Sequence, residues 1–184
     1  ELDEPTRAAI VREQRRLAAV LRDRAGDDGG LRMVRPEQLH LTLVFLGEAT
    51  ETQAADLQAA LAAPVPLAAF TLTFGGAGLF PPRGNPRVLW LGLLAGSDET
   101  RAVHADLIAR VVRVGATVEE RSFTPHLTLG RWRDGRPRHR AALEAAAATP
   151  AAASCRVEGV TLFRSELSSG GAVHTPLVTT PLYA

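Results

Sequence analysis

Two histidines stand in the same tetrapeptide, His40-Leu41-Thr42-Leu43 and His126-Leu127-Thr128-Leu129. Imidazole titrates near neutral pH, so one ring can take a proton while the other gives one. Threonine hydroxyls can donate hydrogen bonds to oxygens on which charge builds in a transition state. Two of each, facing one cavity, suit a phosphodiester. Opening a cyclic phosphate needs a base to deprotonate water and an acid to protonate the departing ribose oxygen. Neither a carboxylate nor a metal is required, so no cofactor and no metal ion are expected. A zinc ion between His40 and His126 is the competing use of these side chains, but the motif offers only threonine as a further ligand.

The elements around the motifs must bring them together. In a strand, residues i and i+2 share a face, so His40 and Thr42 point one way while Leu41 and Leu43 point into a core. The same holds for His126 and Thr128 against Leu127 and Leu129. The copies are separated by about half of the 184 residues, the distance expected of a duplicated lobe. Strands are expected over residues 38–46, 70–74, 88–94, 123–132, 156–164 and 172–178, with a turn at 168–171. Helices are expected over residues 6–24, 52–63, 98–114 and 139–148, with Ser97 as an N-cap and Pro64 and Pro66 ending the second. Residues 26–30 read as a flexible break, and the Gly- and Pro-rich residues 75–86 as a loop. Helices mixed with hairpin-connected strands predict an α+β protein with antiparallel sheets.

Composition narrows the partners. Twenty-one basic against 20 acidic residues leave a net charge of only +1, so any RNA contact is local and at an end. Lysine is absent, which excludes a lysyl-nucleotide intermediate. Cys155 is the single cysteine, so there is no internal disulfide and no cysteine-rich zinc pattern, in keeping with a reducing cytoplasm. No apolar run reaches the length of a membrane span, and no signal peptide is legible. The chain opens at Glu1, and residues ahead of it are expected.

The extended blocks Leu39-His40-Leu41-Thr42-Leu43-Val44-Phe45-Leu46-Gly47 and Phe123-Thr124-Pro125-His126-Leu127-Thr128-Leu129-Gly130-Arg131 resemble the two-histidine (2H) phosphoesterase superfamily. More narrowly they look like bacterial RNA 2′,3′-cyclic phosphodiesterases, also called 2′-5′ RNA ligase-like proteins. Arg87-Val88-Leu89-Trp90-Leu91-Gly92 is similar to that family's strand between the motifs. Residues 162–177 resemble its closing strands, with His174 where many members carry an aromatic residue. The resemblance implies one bilobal α+β domain over residues 1–184. It would have two pseudo-symmetric lobes, antiparallel sheets flanked by helices, and a cleft between. It implies a monomeric cytoplasmic hydrolase that turns an RNA 2′,3′-cyclic phosphate end, such as that of a tRNA fragment, into a 2′-phosphate. His126 would be the proton acceptor, His40 the proton donor, and Thr42 and Thr128 the phosphate holders. The residues alone do not order the two histidines. Some relatives also join RNA ends by reversible 2′-5′ ligation. Another cyclic phosphate, of a nucleotide or an ADP-ribose derivative, and a non-catalytic RNA-end-binding module are the alternatives.

Arg131 matches a basic position after the second motif and is a candidate substrate-binding residue, with a parity problem. Residues 126, 128 and 130 share a face, so Arg131 points away unless Gly130 permits a bulge. The stretch Arg131 to Arg140, with Trp132, reads as a solvated basic face, as do Arg83 and Arg87. Phe45 falls on the core side with Leu41 and Leu43. His104, His139 and His174 have no motif around them, and Glu119 with Glu120 reads as surface.

Overall fold

The computed structural model describes residues 2–118, 122–146, 151–168 and 171–183. The chain runs α1 (Glu4–Ala25), β1 (Leu31–Met33), a short 3-10 turn (Pro36–Gln38), α2 (Glu51–Leu61), β2 (Val65–Ala68), β3 (Phe70–Phe80) and β4 (Val88–Ala95). It continues through α3 (Ser97–Arg113), β5 (Leu127–Trp132), α4 (Pro137–Glu144), β6 (Ala153–Val157), β7 (Gly159–Ser168) and β8 (Gly171–Tyr183).

Local chemistry sets the helix ends. Asp3 accepts the Thr6 N–H at 2.7 Å at the start of α1, and Gly26 ends it in a left-handed turn. Thr50 and Gln53 form a reciprocal capping box ahead of α2. Ser97 is the first residue of α3 rather than its cap; Gly96 occupies the cap with φ 81°.

Two sheets carry two cores. The five-stranded sheet has the order β1-β5-β4-β3-β6, and α1 and α4 pack on it. Its core holds Ile10, Leu17 and Leu21 of α1, Leu143 of α4, and Phe74, Leu89, Leu91, Leu127 and Leu129 of the strands. The three-stranded sheet has the order β2-β8-β7, with α2 and α3 against it. Leu57, Leu61, Val103, Leu107 and Val111 fill that second core with Val65 and Leu182. Among the described residues every strand pair is antiparallel except β2 with β8.

Three expectations give way to longer-range pairing. The run 156–164 is two strands, broken at Glu158: β6 pairs with β3 in the large sheet and β7 with β8 in the small one. Val157 packs against both cores, so the chain passes between the sheets there. The residues taken for a loop, 75–80, continue β3 along β4, where Gly78 leaves room for the indole of Trp90. Residues 38–46 are not a strand; Leu41 alone makes a bridge, to Leu127. The expected turn at 168–171 and the end of the 139–148 helix lie partly outside the described residues, and Glu119 and Glu120 wholly so.

Candidate active site

The second motif is held by the large sheet. Leu127 and Leu129 are fully buried in its core. A one-residue slip of β5 would expose both, at about 1.5–3 kcal/mol each, so the register that puts Thr128 on the opposite face is firmly set. His126 stands one residue ahead of the strand. Its ring lies 5.1 Å from Phe80, edge to face at 82°, and 6.0 Å from Trp90. Trp90 pairs with Thr128 on one side and with Gly78 on the other. Its indole lies across Gly78, where a Cβ would sit 2.1 Å from the ring. The missing side chain is what lets this aromatic wall stand behind His126.

The first motif is held differently. Leu39 and Leu41 pack on the large core, while Leu43, Val44 and Leu46 pack on the small one. His40 and Thr42 therefore sit where the segment crosses from one lobe to the other. The antiparallel Leu41–Leu127 bridge sets the register. His40 falls beside Thr128, and Thr42 beside His126. The two His-Thr pairs are thus arranged diagonally.

The two imidazoles make the same hydrogen bond. His40 Nδ1 is 2.7 Å from the Gln38 carbonyl, and His126 Nδ1 is 2.7 Å from the Thr124 carbonyl, two residues back in each case. A carbonyl oxygen only accepts, so each Nδ1 carries the proton. Nε2 is left to change protonation state in both rings.

These side chains share a cavity of about 240 Å³ lined by Val34, Gln38, His40, Thr42, His126, Thr128, Arg131 and His174. Among the described residues no acidic side chain lines it, which suits an anion. Arg131 reaches it through a bulge. Trp90 pairs with Thr128 but Leu89 with Gly130, so Leu129 is an extra residue on β5. Leu129 and Gly130 both bury, the parity shifts by one, and Arg131 turns to the cavity face. The Leu129 carbonyl accepts from the Val34 N–H and from Gln14 Nε2, each at 2.9 Å, which ties the bulge to β1 and α1. His174 arrives from β8 of the small sheet. Its Nδ1 is 2.8 Å from Ser165 Oγ, and its ring is 5.6 Å from that of His40.

A second concavity of about 260 Å³ lies elsewhere, between β3, β4 and α4. Its charges, Arg140 and Glu144, pair with each other at 3.3 Å, and it offers no acid-base pair. The His-Thr cavity is the one with chemistry in it.

A family model of the 2′-5′ RNA ligase superfamily matches residues 6–168. The chain belongs to that superfamily. It is 34% identical over 188 residues to the RNA 2′,3′-cyclic phosphodiesterase of Thermus thermophilus, covering 96% of this chain and 84% of that protein. It is 36% identical over 102 residues to the protein of the same description from Archaeoglobus fulgidus, a match spanning 55% of this chain and only 56% of that protein. The crystal structure of TT0787 from Thermus thermophilus superposes with a TM-score of 0.75 at 31% identity, covering 98% of this chain and 93% of that one.

In this member of the 2′-5′ RNA ligase superfamily, His40, Thr42, His126, Thr128 and Arg131 come together at one cavity. Phe45 does not take the core position its parity predicts: it is 68% exposed, because alternation has no strand to follow beyond the single bridge. Arg83 and Arg87 are exposed and are not among the residues that line the cavity. The basic stretch is spent locally: Arg133 on Asp134, Arg138 on Asp27, and Arg140 on Glu144 and two carbonyls. Trp132 is buried and donates to the Asp28 carbonyl. His139 is fully buried, accepting the Arg136 N–H at Nδ1 and donating from Nε2 to Asp27. His104 stacks flat on Phe123 at 4.0 Å, where burial lowers its pKa. Sequence reading missed His174 as a cavity residue, together with Phe80 and Trp90 behind His126. The signal for the aromatics was their place on alternating apolar strands; for His174 it is a register with Ser165 that only the fold provides.

Proposed function

We propose that the cavity hydrolyses the 2′,3′-cyclic phosphate at an RNA end to a 2′-phosphate. The observation that carries this is the pair of imidazoles with identical Nδ1–carbonyl bonds, set diagonally with two threonines in a cavity with no acid among its described lining residues. The names of the curated relatives supply the substrate class.

Neutral His126 takes a proton from water at Nε2 as the water oxygen attacks phosphorus. Protonated His40 gives its Nε2 proton to the departing 3′-oxygen as the P–O3′ bond breaks. The products are a 2′-phosphate and a 3′-hydroxyl, and solvent resets the two protons. Thr42, Thr128 and the Arg131 guanidinium take the non-bridging oxygens, whose charge grows in the transition state. The order of the two histidines follows the family pattern. With an RNA 5′-hydroxyl in place of water, the same groups in the same roles serve 2′-5′ ligation: the O5′–P bond forms as the P–O3′ bond breaks. The protein works as a monomer in the cytoplasm on ends such as those of tRNA fragments. Among the described residues no helix is long and apolar enough to cross a membrane.

The test is incubation, in EDTA, with a short RNA ending in a 2′,3′-cyclic phosphate, beside His40→Ala and His126→Ala. The wild type yields a 2′-phosphate end, each variant loses on the order of 10²–10⁴ in rate, and the pH–rate profile is a bell. A folded wild type without turnover, a 3′-phosphate product, or activity that survives both substitutions would overturn the proposal.

A further inference from the structure

Beside the His-Thr cavity the cross-strand register places two arginines directly opposite one another. Arg32 of β1 pairs with Arg131 of β5. Their neighbours Leu31, Met33, Gly130 and Trp132 turn to the core, so both guanidinium groups share the cavity face of the sheet and both residues are exposed. Like charges directly opposite in a ladder oppose the pairing. Neither arginine has an ion pair or a side-chain hydrogen bond among the described residues. The arginines of the adjoining 133–140 stretch, by contrast, mostly find a carboxylate or carbonyl. With 21 basic and 20 acidic residues in the chain, this is no by-product of a basic surface.

The pair is continuous with the cavity. Arg131 lines it, and so does Val34, two residues and about 6.5 Å along from Arg32. An anion held by both arginines would therefore sit next to the one at the histidines, on the same face. Guanidinium forks match the oxygens of a phosphodiester. In an RNA that ends in a cyclic phosphate, the next anion is the phosphodiester linking the last nucleotide to the one before it.

Resting on the proposed reaction, we infer that Arg32 with Arg131 forms a second phosphate subsite, which binds this upstream phosphodiester. The protein then takes a chain end in preference to a free cyclic mononucleotide. Arg131 serves both phosphates; Arg32 serves only the upstream one.

Three substrates separate the possibilities: a nucleoside 2′,3′-cyclic phosphate, a dinucleotide ending in a 2′,3′-cyclic phosphate, and the same dinucleotide with an uncharged methylphosphonate linkage. Wild type is expected to show kcat/KM about 10-fold or more higher on the charged dinucleotide than on the other two. Arg32→Ala is expected to erase that advantage through KM, to leave mononucleotide kinetics within about twofold, and to flatten the salt dependence of dinucleotide binding by about one phosphate contact. Because the substitution removes a like-charge pair, its melting temperature should be unchanged or raised; a structural role for Arg32 would lower it. Equal wild-type rates on all three substrates, a preference that survives Arg32→Ala, or an equal loss on the mononucleotide would overturn the inference and leave the proposed reaction standing. Turnover of none of the three by folded wild type would overturn both.

Discussion

Replacing Gly78 by alanine tests whether the wall behind His126 matters to the site. An added Cβ would lie 2.1, 2.2 and 2.5 Å from Cζ2, Cη2 and Cε2 of Trp90, where ordinary contact begins at 3.4 Å. The ring and the new methyl must therefore separate by about 1.3 Å. The backbone has little room to yield, because Gly78 is paired to Trp90 and Trp90 is paired onward to Thr128. The indole is freer, since its Nε1 is buried without a hydrogen-bond partner among the described residues and packing holds it. Its displacement reaches His126 directly and through Phe80, which touches both rings. Overpacking of this kind costs about 1–3 kcal/mol of stability. Misplacing a reacting group by about 1 Å costs on the order of 10²-fold in rate.

Gly78→Ala should therefore fold with a lower denaturant midpoint, shift its tryptophan emission, and lose on the order of 10- to 10²-fold in kcat on a cyclic-ended RNA. Adding Trp90→Leu removes the clash, so the double variant should be more stable than the sum of the single effects predicts. Wild-type kcat and unchanged emission in Gly78→Ala would refute the reasoning, because the ring would then yield without disturbing His126.

Gln14 of α1 is buried and donates to both the Val34 and the Leu129 carbonyls at 2.9 Å. In Gln14→Leu the Leu129 oxygen keeps the Val34 N–H but the Val34 oxygen loses its donor, so stability should fall by about 1–3 kcal/mol at unchanged m-value in urea. A loss below about 0.5 kcal/mol would mean that the bulge does not depend on α1. Stability should also fall with acid in two windows. Burial lowers the pKa of His104 below its usual 6.5, so the unfolded chain binds the proton first. That stability is complete above pH 6.5, is lost as pH falls through the folded pKa, and should stay pH-independent there in His104→Phe. Asp27, hydrogen-bonded by His139, the Gly29 N–H and Arg138, has its pKa held down at about 2. Its contribution is present above pH 3.8 and is lost as pH falls toward 2; denaturant midpoints of Asp27→Asn should not show that step.

Much of this was legible in the sequence, for identifiable reasons. Helical spacing at Ile10, Leu17 and Leu21 and alternation at Leu127 and Leu129 report burial on one face; the helix formed close to its expected bounds, while the strand expected over 123–132 forms only from Leu127 to Trp132. The same alternation at Leu41, Leu43 and Phe45 misled, because a strand also needs a partner. β5 already has β1 and β4 beside it, which leaves the first motif one bridge. Glycines at 75, 76 and 78 read as loop because composition cannot show that one of them lies under an indole. Pro66 read as a helix stop, yet it lies within β2, an edge strand where a missing N–H is tolerated. His174 was out of reach, since its place depends on a long hairpin and on how two sheets meet.

The two motifs show what the repeat specifies. Identical tetrapeptides sit on unlike supports: one runs into a strand of a five-stranded sheet, the other lies on a nearly unpaired segment spanning two cores. Strand geometry therefore cannot be what makes the two sites equivalent. The shared features are smaller. A leucine after each histidine anchors the backbone, and an i−2 carbonyl takes the Nδ1 proton and aligns the ring. Because the carbonyl belongs to the backbone two residues away, the bond needs only a local extended turn, which either support can supply. The supports then differ in stiffness. His126 inherits the rigidity of the large sheet, whereas His40 depends on how Leu39 and Leu41 grip one core and Leu43 and Val44 the other. Core substitutions that loosen the small lobe should accordingly impair the His40 step and leave His126 in place.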